Sequence, residues 1–388
     1  MITSLASYQP QIITLLNDQI RDHTFSQVVL FGGERYTLRM STAVEVARVL
    51  GCMEHGEEGC SCSRCTQFAT LTYSDLLIVS QRDHKVRIEA ALHAFEKDPN
   101  GRWRTRLIQT IRILLVSFHP VLMEEAGPTL VNTAARAGGA NDLLYSLSSE
   151  DHLDEKEART YAENLRKALK ELYSALPKST TVTINQVRSI DRWVHQTNIA
   201  NQLRFVILEG IEQTNASARN ALLKLFEEPP QGVFFILISE HPSRIMQTIL
   251  SRVRRYSFAP LSFEAQQRMI AEYGEHGYAN LASFYLIQSG INLEASKEIV
   301  MRLITSLATK KPLDSRSVAE ITEAIDKSGS FEYVLTTLSE EIACQNFSAS
   351  YIQKAIDLIN HTHSTTVLYN QNQRFAAEAL YYRLLEER

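Results

Sequence analysis

Four of the five cysteines, Cys52, Cys60, Cys62 and Cys65, lie in one stretch, GCMEHGEEGCSCSRC. The opening residues, MITSLASYQPQIITLLNDQI, carry no basic leader followed by an apolar core, so no signal peptide is expected. Clustered cysteines in such a chain favour metal over disulfides. Thiolates on a compact loop suit tetrahedral zinc, and Cys62 and Cys65 have the C-x-x-C spacing that chelates one ion. His55 is a substitute ligand, and a loop of free thiols is the other reading. Zinc here would be structural, because it would fix a loop rich in Gly and Glu with no sign of an activated water. Cys344 stands alone on a helical face and is expected to be inert.

A second constellation could have held phosphate. The apolar run Val28-Val29-Leu30-Phe31 is followed by Gly32-Gly33, then by a helix expected from about Ser41 to Leu50. In a phosphate loop placed there, glycines let backbone amides curl round phosphate. A lysine reaches the β- and γ-phosphates, and a Ser or Thr hydroxyl holds magnesium. In GGERYTLRMS, however, Thr37 stands at the second glycine, Leu38 at the lysine and Arg39 at the hydroxyl. Arg39 is one position away from the lysine, which at a helix start turns it to another face. Productive ATP binding is therefore not expected.

The acid that should complete such a site is also reduced. Phe205-Val206-Ile207-Leu208 reads as a buried strand ending at Glu209, followed by Gly210. Glu209 and Gly210 read as an ordinary strand end and Glu212 as a solvated surface acid. Thr214 or Asn215 then caps a helix carrying Ala218, Ala221, Leu222 and Leu225, which Pro229-Pro230 stops. Val233 to Ile238 is a second buried strand, Ile245 to Leu250 a short helix, and Ser251-Arg252 leads into a basic cluster, Arg254-Arg255. Strand, helix, strand, with an acid after the first and an arginine beyond the second, is the shape of half an NTPase core.

FVILEGIEQTNASARNALLKLFEEPPQGVFFILISEHPSRIMQTILSRVRRYSF resembles the Walker B-to-arginine-finger half of bacterial clamp-loader AAA+ subunits, most densely in NALLKLFEEPP and ILSR. Its likeness is to the delta-prime branch, which keeps the fold without a working ATP site. The resemblance makes Glu209 a vestigial Walker B residue, with Gly210 where the family has a second acid. Ser251-Arg252-Val253 matches the family's Ser-Arg-Cys element. There the arginine projects into a neighbouring subunit's ATP site and stabilises charge on the transferring phosphate. Pairing of Arg252 with a local carboxylate is the alternative. The four cysteines correspond to the family's zinc module, although Cys60 and Cys62 are one residue closer than its C-x-x-C.

The resemblance implies an α/β AAA+ core, a parallel sheet with flanking helices, over residues 1–259. A helical lid over 260–309 and a helical collar over 310–388 would follow, joined near Lys310-Lys311-Pro312. Phe375, Ala379, Leu380 and Leu384 form a stripe suited to a collar bundle. The likeness covers about residues 1–83 and 184–388. Between them, about 84–180 reads as a helical hairpin or subdomain with breaks at Pro120, Gly127-Pro128 and Gly138-Gly139. Arg102, Trp103, Arg104 and Arg106 could touch nucleic acid, but a solvated helix start beside a core tryptophan is preferred.

The expected function is that of a non-hydrolysing delta-prime-like subunit supplying Arg252 in trans. Its partners would be gamma/tau-like ATPase and delta-like subunits, with a sliding clamp and primed DNA reached through the complex. A gamma/tau-like motor ATPase and a zinc-containing DNA-binding module are the alternatives. The net charge of −4 argues against a global field for nucleic acid. The best membrane candidate, Leu107 to Phe118, is short and contains Gln109 and Arg112, so a cytoplasmic protein is expected.

Overall fold

A computed structural model describes residues 2–388 except positions 55, 58, 81, 83, 126, 127, 176–181, 197–201, 369 and 370. The chain divides into two compact units, Met1–Pro177 with Thr181–Ala282, and a second built on Ser283–Arg388. The first is organised on five parallel strands: β1 (Val28–Gly32), β2 (Leu76–Val79), β3 (Arg204–Glu209), β4 (Val233–Ser239) and β5 (Arg254–Ser257). Their spatial order is β2-β3-β4-β1-β5.

Strands covered on both faces must be apolar at successive positions, which is why β1, β3 and β4 are legible as continuous runs. In β1, Val29 and Phe31 enter the layer that also holds Ile13 and Leu16 of helix Pro10–Arg21 and Met40 and Val46 of helix Arg39–Gly51. Val28 and Leu30 enter the opposite layer, with Val187 and Trp193 of helix Ile184–His195 and Leu222 of helix Ala216–Glu227. Asn215 caps the latter helix by accepting the Ala218 amide at 2.8 Å.

The fifth strand corrects the reading of Arg254-Arg255 as only a basic cluster. It is an edge strand with Tyr256 buried and both arginines exposed, paired to β1 with Phe31 opposite Tyr256. A strand with one buried side chain has no apolar run to betray it, and charged edges discourage further pairing. In the sheet register Gly32 lies beside Ser239, Ile238 beside Glu209, and Leu208 beside Val79. The carboxyl ends of four strands thus gather along one rim, where sheets of this type place their ligands.

Residues 84–175 include four long helices, His84–Lys97, Arg102–Leu115, Pro128–Ser149 and Glu155–Ala175, around a separate core that includes Phe95, Trp103, Leu107, Ile111, Leu144 and Leu165, while the short helix Pro120–Met123 places Val121 and Leu122 in the layer of the sheet that holds Val28 and Leu30. Gly138-Gly139, read as a loop, lies inside the third helix. Each glycine costs about 1 kcal/mol relative to alanine there. Burial of Ala137, Ala140, Leu144 and Leu147 on one face overrides that cost. The stretch Arg102–Met123 is long and apolar enough to cross a membrane by length and composition. Its Leu107, Ile108, Ile111 and Leu114 lie in this helical core.

Trp103 is buried, and its Nε1 donates to the Glu272 carbonyl at 3.0 Å. Arg102 reaches the same carbonyl at 3.3 Å. Arg102 and Trp103 therefore hold this segment to the end of helix Phe263–Glu272, with the Arg102 cation at the negative end of its dipole, while Arg104 bonds Pro99, Asn100 and Glu150 within the segment.

In the second unit, helices Leu293–Thr309, Ser315–Ser328, Phe331–Cys344, Ala349–Leu368 and Gln373–Glu386 share one core. Leu380 and Leu384 are buried in it, while Ala379 is exposed and Phe375 is 66% exposed. The stripe is therefore split between core and surface. Cys344 is an exposed free thiol.

Candidate functional site

The loop after β1 is closed by the protein's own side chains. Gly33 is required by space: a Cβ there would lie 2.5 Å from the Phe258 carbonyl oxygen. Leu38 adopts a left-handed conformation at φ 68°, and the helix begins at Arg39, earlier than expected. Arg39 does not point to solvent. It is buried, its Nη1 donates to the Ser239 carbonyl at the end of β4, and its Nη2 donates to the Glu34 carbonyl at 2.9 Å. Its Nε donates to Thr37 Oγ1 at 3.1 Å. Burial pulls its pKa down, while Glu240, 3.8 Å away, acts in the opposite direction. The residue at the motif's hydroxyl position thus places a fixed cation in the loop.

Glu209 is also occupied. Arg82 holds both carboxylate oxygens, at 2.7 Å through Nε and 2.6 Å through Nη2, and Ser80 Oγ donates to the same group. Burial pushes the Glu209 pKa up, but the Arg82 charge and these hydrogen bonds prevail and hold it at about 2. Nothing local in the sequence marked Arg82, which follows β2 and meets Glu209 only because β2 and β3 are adjacent.

Glu212, read as a solvated acid, accepts the amides of Glu240 at 3.0 Å and His241 at 3.4 Å. It secures the turn after β4, a role visible only once the strand ends are side by side.

Arg252 follows the short helix Gln247–Leu250. Its Nε donates to Glu227 Oε1 at 2.7 Å, Nη2 donates to the same oxygen, and Nη1 donates to the Thr248 carbonyl at 2.7 Å. Ser251 Oγ lies 3.3 Å from that Nη1. The local carboxylate pairing is therefore present, with Arg252 and Glu227 both at the surface of this chain.

The cysteine stretch does converge. The sulfurs of Cys52, Cys60, Cys62 and Cys65 all lie within 4.8 Å of one another. Cys52 Sγ is 3.7 Å from that of Cys60 and 3.8 Å from that of Cys62. Four sulfurs about 2.3 Å from a tetrahedral ion stand about 3.8 Å apart, so the donor set fits zinc. The one-residue spacing of Cys60 and Cys62 is accommodated, and both join the cluster. His55 lies outside the described residues. Without metal, the amides of Cys65 and Met53 hold the Cys62 thiol down at about 6, whereas burial pushes Cys65 up to about 12.

A doubly covered parallel sheet with a phosphate-loop position after β1, an acid at the end of β3 and an arginine before β5 is an AAA+ core. Residues 8–113 and 129–262 match the family model described as DNA polymerase III, delta subunit, which is more than half of the chain. The chain belongs to this family, within the clamp-loader class. The match reaches into residues 84–113 and 129–175, beyond the 1–83 and 184–388 over which the sequence resemblance is expected.

Among curated relatives, the DNA polymerase III subunit delta' of Bacillus subtilis is 28% identical over 102 residues, 26% of this chain and 31% of that protein. The corresponding subunit of Pseudomonas aeruginosa is 42% identical over 71 residues, 18% of this chain and 22% of its own. Replication factor C subunit 4 of Homo sapiens is 27% identical over 186 residues, 43% of this chain and 46% of its own. In each case the chain spans less than half of the relative's length.

Proposed function

We propose that the chain is the non-hydrolysing, delta-prime-like subunit of a replicative clamp loader, supplying Arg252 in trans to an ATPase subunit. The observation that carries this reading is the position of Arg39. A guanidinium bonded to the carbonyls of Glu34 and Ser239 fills the phosphate loop. With Leu38 at the lysine position and Glu209 engaged by Arg82, the parts that bind and activate ATP are spent inside the protein.

Arg252 suits the opposite role. Exposed ion pairs are worth about 0–1 kcal/mol, so its guanidinium can exchange Glu227 for a phosphate oxygen at little cost. The four cysteines hold a structural zinc ion. Residues 260–309 act as a lid and 310–388 as a collar, where exposed Phe375 and Ala379 offer an apolar contact to a gamma/tau-like or delta-like neighbour. Sliding clamp and primed DNA are engaged through the assembly, in the cytoplasm.

The test is ATP turnover by a reconstituted loader with clamp and primed DNA, comparing native chain with Arg252→Ala. Turnover at the served site should fall by roughly 10³-fold with assembly intact, and the chain alone should be silent. Normal turnover by the mutant complex would remove the arginine-finger role. Hydrolysis by the isolated chain would put a gamma/tau-like ATPase in its place.

A further inference from the structure

The thiol cluster sits at the C-terminal end of helix Arg39–Gly51, with Cys52 as its C-cap. This is an adverse place for the charge it would carry. Four thiolates around one divalent cation leave a net charge of −2, and the end of a helix already carries about half a negative charge. Two guanidinium groups lie there. Arg48, in the last turn and buried, donates from Nη1 to Cys65 Sγ at 3.5 Å and to the Glu57 carbonyl at 3.2 Å. Arg64 donates from Nη1 to the Gly51 carbonyl at 3.3 Å, satisfying one of the helix's last acceptors.

The acids nearby act in the opposite sense. Glu45 Oε2 holds the Arg48 Nε at 2.8 Å and fixes its fork while sharing its charge. Glu54 Oε2 lies 3.7 Å from Cys60 Sγ and would face a thiolate once metal is bound.

We propose that Arg48 is a positioning residue of the metal centre, seconded by Arg64. Its guanidinium offsets the charge of the metal-bound thiolates at the helix end, and its two Nη1 contacts join Cys65 to the loop at Glu57. The inference rests on the reading that the four cysteines hold zinc. It goes beyond the ligands to the groups that make the ion tolerable at this position, and outer groups of this kind commonly set metal affinity.

The experiment is competition for zinc between the full-length chain and a chromophoric chelator, repeated with Arg48→Gln, Arg48→Lys, Arg64→Gln and Glu54→Gln. Arg48→Gln should bind zinc about 10–100-fold more weakly. Arg48→Lys should fall between it and the native chain, since it keeps the charge but loses the fork. Arg64→Gln should lose less than Arg48→Gln, and Glu54→Gln should bind more tightly than native.

Cobalt-loaded Arg48→Gln should retain the tetrathiolate absorption bands, showing an assembled but weaker site. If Arg48→Gln does not fold, Arg48→Met, which keeps the packing of the stem, is read in its place. Native affinity in the neutral variant overturns the role of Arg48. A native chain that takes up neither zinc nor cobalt overturns the metal reading itself, and the two failures are distinguished by the native titration.

Discussion

Helix Arg39–Gly51 begins in the phosphate loop and ends in the cysteine cluster, and its two ends have opposite chemistry. At the first, every nitrogen of the Arg39 guanidinium donates to an oxygen of the protein. A nucleotide phosphate entering there would have to break buried hydrogen bonds and displace a cation. At the second, four sulfurs face one another, all within 4.8 Å. Once deprotonated, they repel one another until a cation joins them. At the first end the chain satisfies its own groups, and at the second it leaves donors converging on one point.

The largest expected effect is at the open end. Cys52→Ser should remove zinc and, with it, the stability that zinc at about 1,000 times its Kd lends the fold, about 4 kcal/mol, measured as metal content and urea midpoint. A variant that keeps its metal would place the ion elsewhere and undo the contrast.

At the closed end, Glu209→Gln should cost about 3 kcal/mol near neutral pH, because Arg82, whose side chain is 13% exposed, is left without its counterion. The pH dependence follows from the depressed pKa of Glu209, about 2 against an ordinary 4.5. A carboxylate shifted down stabilises the fold fully above the ordinary value and ceases to do so as pH falls through the folded one. The gap between native and Glu209→Gln midpoints should therefore shrink between pH 4.5 and 2. A constant gap would mean that Arg82 is not what holds the charge.

Arg39→Ala should cost on the order of 2 kcal/mol by removing the charged hydrogen bonds to the Ser239 and Glu34 carbonyls, which keep the Gly33 amide and the Thr37 hydroxyl as their other donors, measured by urea unfolding. ATP should add no thermal protection to native or variant. Protection of the variant alone would show a nucleotide site masked by Arg39 rather than one dismantled.

The smallest change touches neither end and sets the scale for the others. Gly138→Ala and Gly139→Ala lie on an exposed helical face, where an added Cβ meets nothing within 4 Å. Each should raise stability by up to about 1 kcal/mol.

Much of the first unit was legible because β1, β3 and β4 are covered on both faces and therefore spell out apolar runs, as in Val28 to Phe31 and Phe205 to Leu208. The cap at Asn215 and the converging cysteines were legible because their partners are near in the chain. β5 was not, since its burial falls on Tyr256 alone. The helix through Gly138-Gly139 was missed because its stability comes from a buried stripe contributed partly by other helices. Trp103 could be placed in a core from its neighbours, but its acceptor, the Glu272 carbonyl, could not.

The sequence by itself determined what the loop after β1 lacks. No arrangement of Leu38 and Arg39 supplies a lysine and a hydroxyl. It also determined which donors a metal could find between Cys52 and Cys65. Only the tertiary structure decided what replaces the missing ligand and which acid is engaged. Arg39 meets Ser239, and Arg82 meets Glu209, across separations of 200 and 127 residues. These contacts depend on β4 lying beside β1 and β3 beside β2. Local periodicity specifies which face of an element is buried, but the partner of a buried charge is specified by the order of the strands.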